Sequence, residues 1–315
     1  MSIRSPIRIL LITLILIFSG LALWLGGQIV TTLKAPRVPV LLYHHLTVED
    51  NLPSGCKYFT PQKVFADEMQ YLHANGYQVI PLRQLIEYME FGGDLPEKPM
   101  VLTFDDGYES NYTLAYPVLQ QYQMPATIFL EVSKAGMHDP KDIPRLSWEQ
   151  MREMEESGLI EIQAHTYDLH QKVTVDPALS QTQPAVIARA YLRPEQRRET
   201  PAEYENKLLK DFIQARETIE ENLSPRRDIL CWPYGAYNTD ALRLAHQAGF
   251  KYFVTCRTGM NQYRDSTGCI RRISVEGEIP LDRFIQLIEP DYSLVRQARQ
   301  IGARYLNWAL EWYIK

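Results

Sequence analysis

Asp105 and Asp106 stand side by side in the segment Thr103-Phe104-Asp105-Asp106-Gly107, where an apolar run ends and a glycine allows a turn. Adjacent carboxylates repel unless a cation or a proton lies between them. The pair can supply one metal ligand and one general base, against the plain alternative of a solvated Asp-Asp-Gly turn. A second segment, His165-Thr166-Tyr167-Asp168-Leu169-His170, holds two of the chain's 7 histidines. Imidazole is the commonest side-chain ligand for zinc and similar divalent ions, and one carboxylate with two imidazoles leaves positions open for water and substrate. A third segment, Cys231-Trp232-Pro233-Tyr234-Gly235-Ala236-Tyr237-Asn238, turns an apolar run through Pro-Tyr-Gly. Pro233 has no N–H, so the backbone N–H of Tyr234 is the next donor and can stabilise an oxyanion. A fourth, Tyr43-His44-His45, also ends an apolar run, and a histidine there can act as a general acid. Each segment alone has a bland structural reading. Together they hold the parts of a metal-assisted hydrolysis. His73, His138 and His246 read as ordinary helix or loop residues.

Such distant segments need a scaffold that gathers them. Residues 36–292 alternate between strand-like and helix-like patterns. Strands are expected at 38–43, 78–81, 100–104, 126–130, 161–164, 229–232, 252–255 and 270–275. A helix follows the first strand, with Thr60 suited to its N-cap, Pro61 to its first turn and Gly76 to its stop. Phe65, Met69 and Leu72 recur within it at helical spacing. Further helices are expected at 147–157, 202–222, 239–248 and 281–289. The alternation predicts an α/β fold, a (β/α) barrel of seven or eight parallel strands. Catalytic groups of such barrels sit at the C-terminal ends of the strands, where all four segments fall. The stretch 171–201 carries Pro177, Pro184, Pro194 and Pro201 among Gln, Thr and Arg, and is expected to be a long loop bordering the site.

Residues 9–33 carry no charge and are rich in Leu and Ile, with Arg4 and Arg8 before them and Lys34 and Arg37 after. That length spans a bilayer as a helix. With no small-residue cleavage site in view, the segment reads as an uncleaved signal anchor. The expected organisation is a cytoplasmic tip and transmembrane anchor at 1–35, a catalytic barrel at 36–292 and a C-terminal amphipathic helix at 293–315, with the barrel outside the cytoplasm. The chain's 315 residues are 45% hydrophobic and 23% charged with a net charge of −5, and no basic stripe appears, so nucleic acid is not an expected partner. Cys56, Cys231, Cys256 and Cys269 lack CxxC spacing, which excludes a zinc ribbon. Cys256 and Cys269 flank one loop and are candidates to pair in an oxidising compartment, while Cys231 reads as a buried strand residue.

In these residues the chain resembles the polysaccharide deacetylases of carbohydrate esterase family 4, the NodB-homology domain. Thr103–Gly107 is similar to that family's first motif, His165, Thr166 and His170 to its second, and Trp232–Gly235 to its third. Three features depart from the usual pattern. Three residues, rather than two, separate Thr166 from His170; Cys231 stands where the third motif usually has an arginine; and no late Leu-x-His motif appears after residue 250. All three also occur in a subgroup resembling the poly-N-acetylglucosamine deacetylases of biofilm systems, whose permuted, distorted barrel carries its acid histidine near the N-terminus. The resemblance implies that Asp106, His165 and His170 hold a divalent metal, with zinc expected and cobalt, nickel or iron as alternatives. It implies Asp105 as the base, Tyr234 N–H as the oxyanion donor and His44 as the acid that protonates the leaving amine. The implied reaction is hydrolysis of N-acetyl groups on an amino-sugar polysaccharide such as poly-N-acetylglucosamine, peptidoglycan or a chitin-like glycan. What orients Asp105 without the usual arginine is left open.

Two rival readings fit the residues less well. Glycoside hydrolysis needs two carboxylates about 5–9.5 Å apart across a bond, which adjacent residues do not suit, and it leaves the histidines unused. A catalytically inactive carbohydrate-binding or scaffold protein on the same fold is favoured by the missing arginine and opposed by the complete set of Asp105, Asp106, His165 and His170.

Overall fold

The computed structural model describes residues 36–48, 58–139, 142–275 and 277–289. The expected anchor at 1–35, the expected helix at 293–315 and Cys56 lie outside these residues. No helix among the described residues is long and apolar enough to cross a membrane.

Fourteen short strands appear among the described residues, and eight of them form one sheet. The strands are β1 (Val40–Tyr43), β2 (His45–Thr47), β3 (Phe59–Pro61), β4 (Gln78–Val79), β5 (Pro99–Asp105), β6 (Ala126–Leu130) and β7 (Ile160–Ala164). They continue as β8 (Lys172–Thr174), β9 (Thr182–Pro184), β10 (Tyr191–Leu192), β11 (Arg197–Arg198), β12 (Ile229–Cys231), β13 (Tyr252–Val254) and β14 (Ile273–Ser274). The sheet runs β13-β12-β7-β6-β5-β1-β14, with β4 also beside β5, and every pairing in it is parallel. Val254 at the end of β13 is bridged in parallel to Ile270, three residues before β14 pairs with β1. Ile270 N–H donates to Phe253 O (2.9 Å) and Thr255 N–H to Ile270 O (3.0 Å). Residues 270–274 thus span the seam between the two outer strands, and the curled sheet closes as a distorted (β/α) barrel.

Parallel strands covered on both faces are nearly continuous apolar runs, and β1, β5 and β6 are buried throughout. Inside, Tyr43, Phe65 and Phe104 pack ring on ring with centroids 5.2–5.8 Å apart. Trp232 stacks between Phe253 and Tyr237 at 5.3 and 5.6 Å. Sequence signals set the helix starts. Ser147 with Gln150 closes a capping box on the helix Trp148–Glu156, and Thr200 with Glu203 does so on Pro201–Asn222, whose Pro201 opens its first turn.

Four expectations are corrected. Thr60 is not an N-cap: it lies in β3, paired with Leu46, and the helix begins at Gln62 with Pro61 before it. The expected strand at 78–81 stops at Val79, because Pro81 opens the helix Leu82–Phe91, which was not anticipated, nor was Tyr116–Tyr122. The stretch after residue 170 is not irregular: β8 and β9 form one antiparallel pair and β10 and β11 another. Cys256 and Cys269 are free thiols, and their sulfurs face different partners, Arg272 and Thr255.

Candidate active site

Because the barrel strands run in parallel, their C-terminal ends lie at one mouth. β1 delivers His44, β5 delivers Asp105 and Asp106, β7 delivers His165, and β12 delivers the Pro233–Gly235 turn. The turn after each of the last three strands contains a non-glycine residue with positive φ: Asp106 at 71°, Thr166 at 72° and Tyr234 at 57°. Such backbone is costly and persists only where neighbours enforce it. Around Asp106 they are identifiable. Arg145, buried with its guanidinium 4.1 Å from the Tyr108 ring centroid, donates from Nη1 to Asp106 O (2.9 Å). Gly107 follows at φ 65°, and a Cβ there would run into the Leu130 side chain.

Asp106, His165 and His170 each turn one ligand atom into a common space, all within 4.8 Å of one another. His170 Nε2 lies 3.3 Å and His165 Nε2 3.7 Å from Asp106 Oδ1. That oxygen is buried and has no hydrogen-bond partner, which is the condition a cation relieves. The other nitrogen of His165, Nδ1, is 2.8 Å from Cys231 O. A proton on Nδ1 satisfies that carbonyl and leaves the Nε2 lone pair facing Asp106, the tautomer a metal ligand needs. Burial pushes the His165 imidazole down to about 4, against the pull of Asp105, so it is neutral. These donors fit a divalent metal.

The extra residue between Thr166 and His170 is absorbed by a tether. Asp211, on the helix Pro201–Asn222, accepts the N–H groups of Tyr167 (2.9 Å) and Asp168 (2.8 Å). Leu169 N–H donates to Thr166 Oγ1 (3.2 Å). His170 thereby still reaches Asp106, and its ring packs 4.8 Å from the half-exposed Tyr234 ring.

Asp105 lies 3.9 Å from His165 Nε2 but is held mainly by a residue not singled out in the sequence, Arg272. Its Nη1 and Nη2 donate to the two oxygens of Asp105 at 2.7 Å each, a bidentate pair in the barrel interior. The same guanidinium donates to Thr255 O (3.0 Å), Thr103 Oγ1 (3.3 Å) and the thiol sulfur of Cys231 (3.0 Å). Burial alone would raise the Asp105 carboxyl, but the charge and hydrogen bonds of Arg272 outweigh it and hold the group well below the usual carboxylate range. The arginine absent from position 231 is thus replaced in space by one on the seam strand, with Cys231 packed against it. The available signal was the pair Arg271-Arg272 inside a short strand pattern at 270–275, of which only Arg272 turns into the barrel.

His44 shares this mouth: Asp105, Asp106, Arg272 and His170 all act on its charge, and burial lowers it from the ordinary imidazole value. Its carbonyl accepts from Asn111 Nδ2 (2.8 Å) and its ring lies 4.8 Å from that of Tyr58. Next to it, His45 is tied to Ser110 Oγ (2.9 Å) and packs on Phe59 and Tyr108, outside the metal-ligand group. In the third turn, Gly235 and Ala236 N–H donate to Trp232 O and Pro233 O, so the Tyr234 amide is the donor these bonds leave over. Gly235, at φ 66°, passes so close to Cys256 that a Cβ would lie 2.8 Å from its backbone nitrogen.

Comparison with known proteins points the same way. The chain is 30% identical over 232 residues to the poly-beta-1,6-N-acetyl-D-glucosamine N-deacetylase of Escherichia coli, covering 70% of this chain and 34% of that protein. It therefore spans about a third of that relative's length. The solved de-N-acetylase from Aggregatibacter actinomycetemcomitans superposes with a TM-score of 0.71 at 29% identity, over 80% of this chain and 100% of that one. The BpsB deacetylase domain from Bordetella bronchiseptica gives 0.66 at 30% identity, over 78% and 97%. The polysaccharide deacetylase family model matches residues 92–253, which include the aspartate, histidine and Pro-Tyr-Gly segments. By the match of more than half its length, this chain belongs to the polysaccharide deacetylase family.

Proposed function

We propose that the protein hydrolyses N-acetyl groups on an amino-sugar polysaccharide with a divalent metal, zinc first among candidates, held by Asp106, His165 and His170. The observation that carries the reading is the convergence of these three groups on the partnerless oxygen of Asp106, beside a carboxylate kept ionised by Arg272. When bound, the metal supplies Lewis acidity toward the acetyl carbonyl and makes water easier to deprotonate. Asp105 takes the proton of the attacking water as a new C–O bond forms. Tyr234 N–H donates to the developing oxyanion. His44 delivers a proton to the sugar nitrogen as the C–N bond breaks, leaving acetate and a free amine. Burial lowers His44 from the ordinary imidazole value, which makes its imidazolium a stronger acid and also a scarcer one at neutral pH. The poly-beta-1,6-N-acetylglucosamine relatives make that polymer the first substrate to try.

The same reading places the catalytic barrel outside the cytoplasm on an anchor at residues 9–33. Membrane fractionation with protease protection tests that location: a barrel shielded from added protease in intact spheroplasts overturns it.

Acetate release from N-acetylglucosamine oligomers tests the activity. The purified protein is assayed as isolated, after chelation, and after zinc or cobalt is restored, with Asp105→Asn as the control. Activity is expected to vanish with chelation, return with metal and be absent in the variant. A tightly bound metal with no acetate released from any acetylated glycan would sink the reading and favour a glycan-binding role.

A further inference from the structure

His44 stands where the chain leaves the barrel sheet. The register of β1 on β5 ends one residue earlier, with Tyr43 beside Phe104, and β2, from His45 onward, pairs with β3 instead. What holds the acid in place must therefore come from beyond that ladder. On one side His45 N–H donates to Tyr58 O (3.2 Å), and the Tyr58 ring lies against that of His44.

On the other side stand two consecutive buried residues, Ser110 and Asn111. Asn111 Nδ2 donates to His44 O (2.8 Å). Ser110 Oγ accepts Leu46 N–H (2.9 Å), and its own hydrogen is then available to His45 Nδ1, 2.9 Å away. Burial, with the charge of Arg145, pushes the His45 imidazole down to about 4, so it is neutral and its Nδ1 can accept. Residues 44, 45 and 46 are thus each held by one of two neighbouring side chains. The Asn111 amide makes no other hydrogen bond among the described residues, and its buried Oδ1 has no partner. A residue that only filled the space would not need that uncompensated oxygen. Asn111 also opens one turn of π-helix, Asn111–Ala115, which Tyr116 N–H closes on Asn111 O. Such wide turns are rare and recur at functional sites.

We propose that Ser110 and Asn111 are positioning residues for the general acid, holding His44 where its proton reaches the leaving nitrogen. This rests on the deacetylase reading. The clamp is itself anchored. Arg145 Nη1 donates to Asp106 O (2.9 Å), Glu109 N–H donates to Pro144 O (2.9 Å), and Gln150 Nε2 donates to Glu109 Oε1 (2.9 Å). Asp106 and Asn111 are five residues apart in this one segment. The same short stretch therefore presents the metal-ligand carboxylate and sets the acid, so it fixes the spacing between the two ends of the reaction.

The test uses the full chain in detergent and two kinds of acetylated substrate. N-acetylglucosamine oligomers lose an amine, which must be protonated to leave. An aryl acetate loses a phenolate, which leaves without a proton and so without help from His44. In Asn111→Ala and in Ser110→Ala, kcat on the oligomers is expected to fall about 10–100-fold with KM unchanged, while the aryl acetate rate stays at the parent's. Asp105→Asn is expected to lose both. Ser110→Ala removes a single heavy atom and carries the test if Asn111→Ala does not fold. A second readout needs no turnover. With 15N in the histidine rings, the His44 signals, identified by their loss in His44→Gln, are expected to shift or broaden in both variants while those of His165 stay. Variants that lose both activities together, or neither, overturn the proposal, as do His44 signals unmoved in both. If the parent itself releases no acetate from the oligomers, the deacetylase reading fails, and the His44 signals alone decide whether the clamp exists.

Discussion

Arg272 presents two nitrogens to the two oxygens of Asp105, and what it does there differs from what any positive charge would do. A lysine keeps the charge but cannot span both oxygens. Arg272→Lys is expected to leave the protein folded, with kcat reduced and the acid limb of the kcat–pH profile moved upward, because Asp105 then holds its proton more easily. A pH–rate profile with an unmoved acid limb would show that Arg272 only fills space. Arg272→Met is a different experiment. It strands a carboxylate in the interior, a change that costs about 3–5 kcal/mol of stability, and thermal unfolding should register it.

At the scale of elements, the helix Pro201–Asn222 holds the histidine segment from outside. Asp211 accepts two backbone N–H groups of that segment, and burial pushes its carboxyl up to about 7 in spite of them. Asp211→Ala is expected to loosen His170 and weaken metal binding about 10–100-fold, as lost support behind a ligand commonly does, while the fold survives. Metal titration checks this, and an unchanged affinity would mean the segment holds itself. Asp211 also shows why part of the site was hard to read. Tyr204, Leu208, Asp211 and Ala215 recur at helical spacing on the buried face, so the aspartate breaks an apolar stripe, as Glu68 does among Phe65, Met69 and Leu72. A polar residue in such a stripe signals a buried partner without saying which. The first-row groups were legible because their types and spacing suffice: Asp105, Asp106, His165 and His170 meet as their motifs imply. Arg272 was not, because its partner is far away in sequence and only the closing strand brings them together. The two hairpins after His170 were missed for a related reason: strands of two or three residues, half of them exposed, carry no usable alternation.

For the whole molecule, the buried Glu68 makes stability depend on pH. Burial pushes its carboxyl up to about 8 although Tyr43 Oη donates to it at 2.8 Å. Its folded value lies above its unfolded one, so between about pH 4.5 and about pH 8 the folded chain holds a proton that the unfolded chain has shed. That contribution is fully present at the acid end of the window and is lost as pH rises through it. Glu68→Gln cannot ionise, so its Tm should fall less than the parent's between pH 5 and pH 8; parallel curves would remove Glu68 as the source. The seam strand has a consequence for the order in which the protein comes into being. Leu41, near the start of the barrel, pairs with Ile273, near its end, and Arg272 arrives on that same late strand. A chain emerging from the ribosome can lay down β1, β5, β6, β7 and the histidine segment while β1 still has an open edge and Asp105 still lacks its counter-charge. Barrel closure and the pairing of Asp105 with Arg272 are then one event, and until residues 270–274 are made the Asp105 carboxylate has no counter-charge.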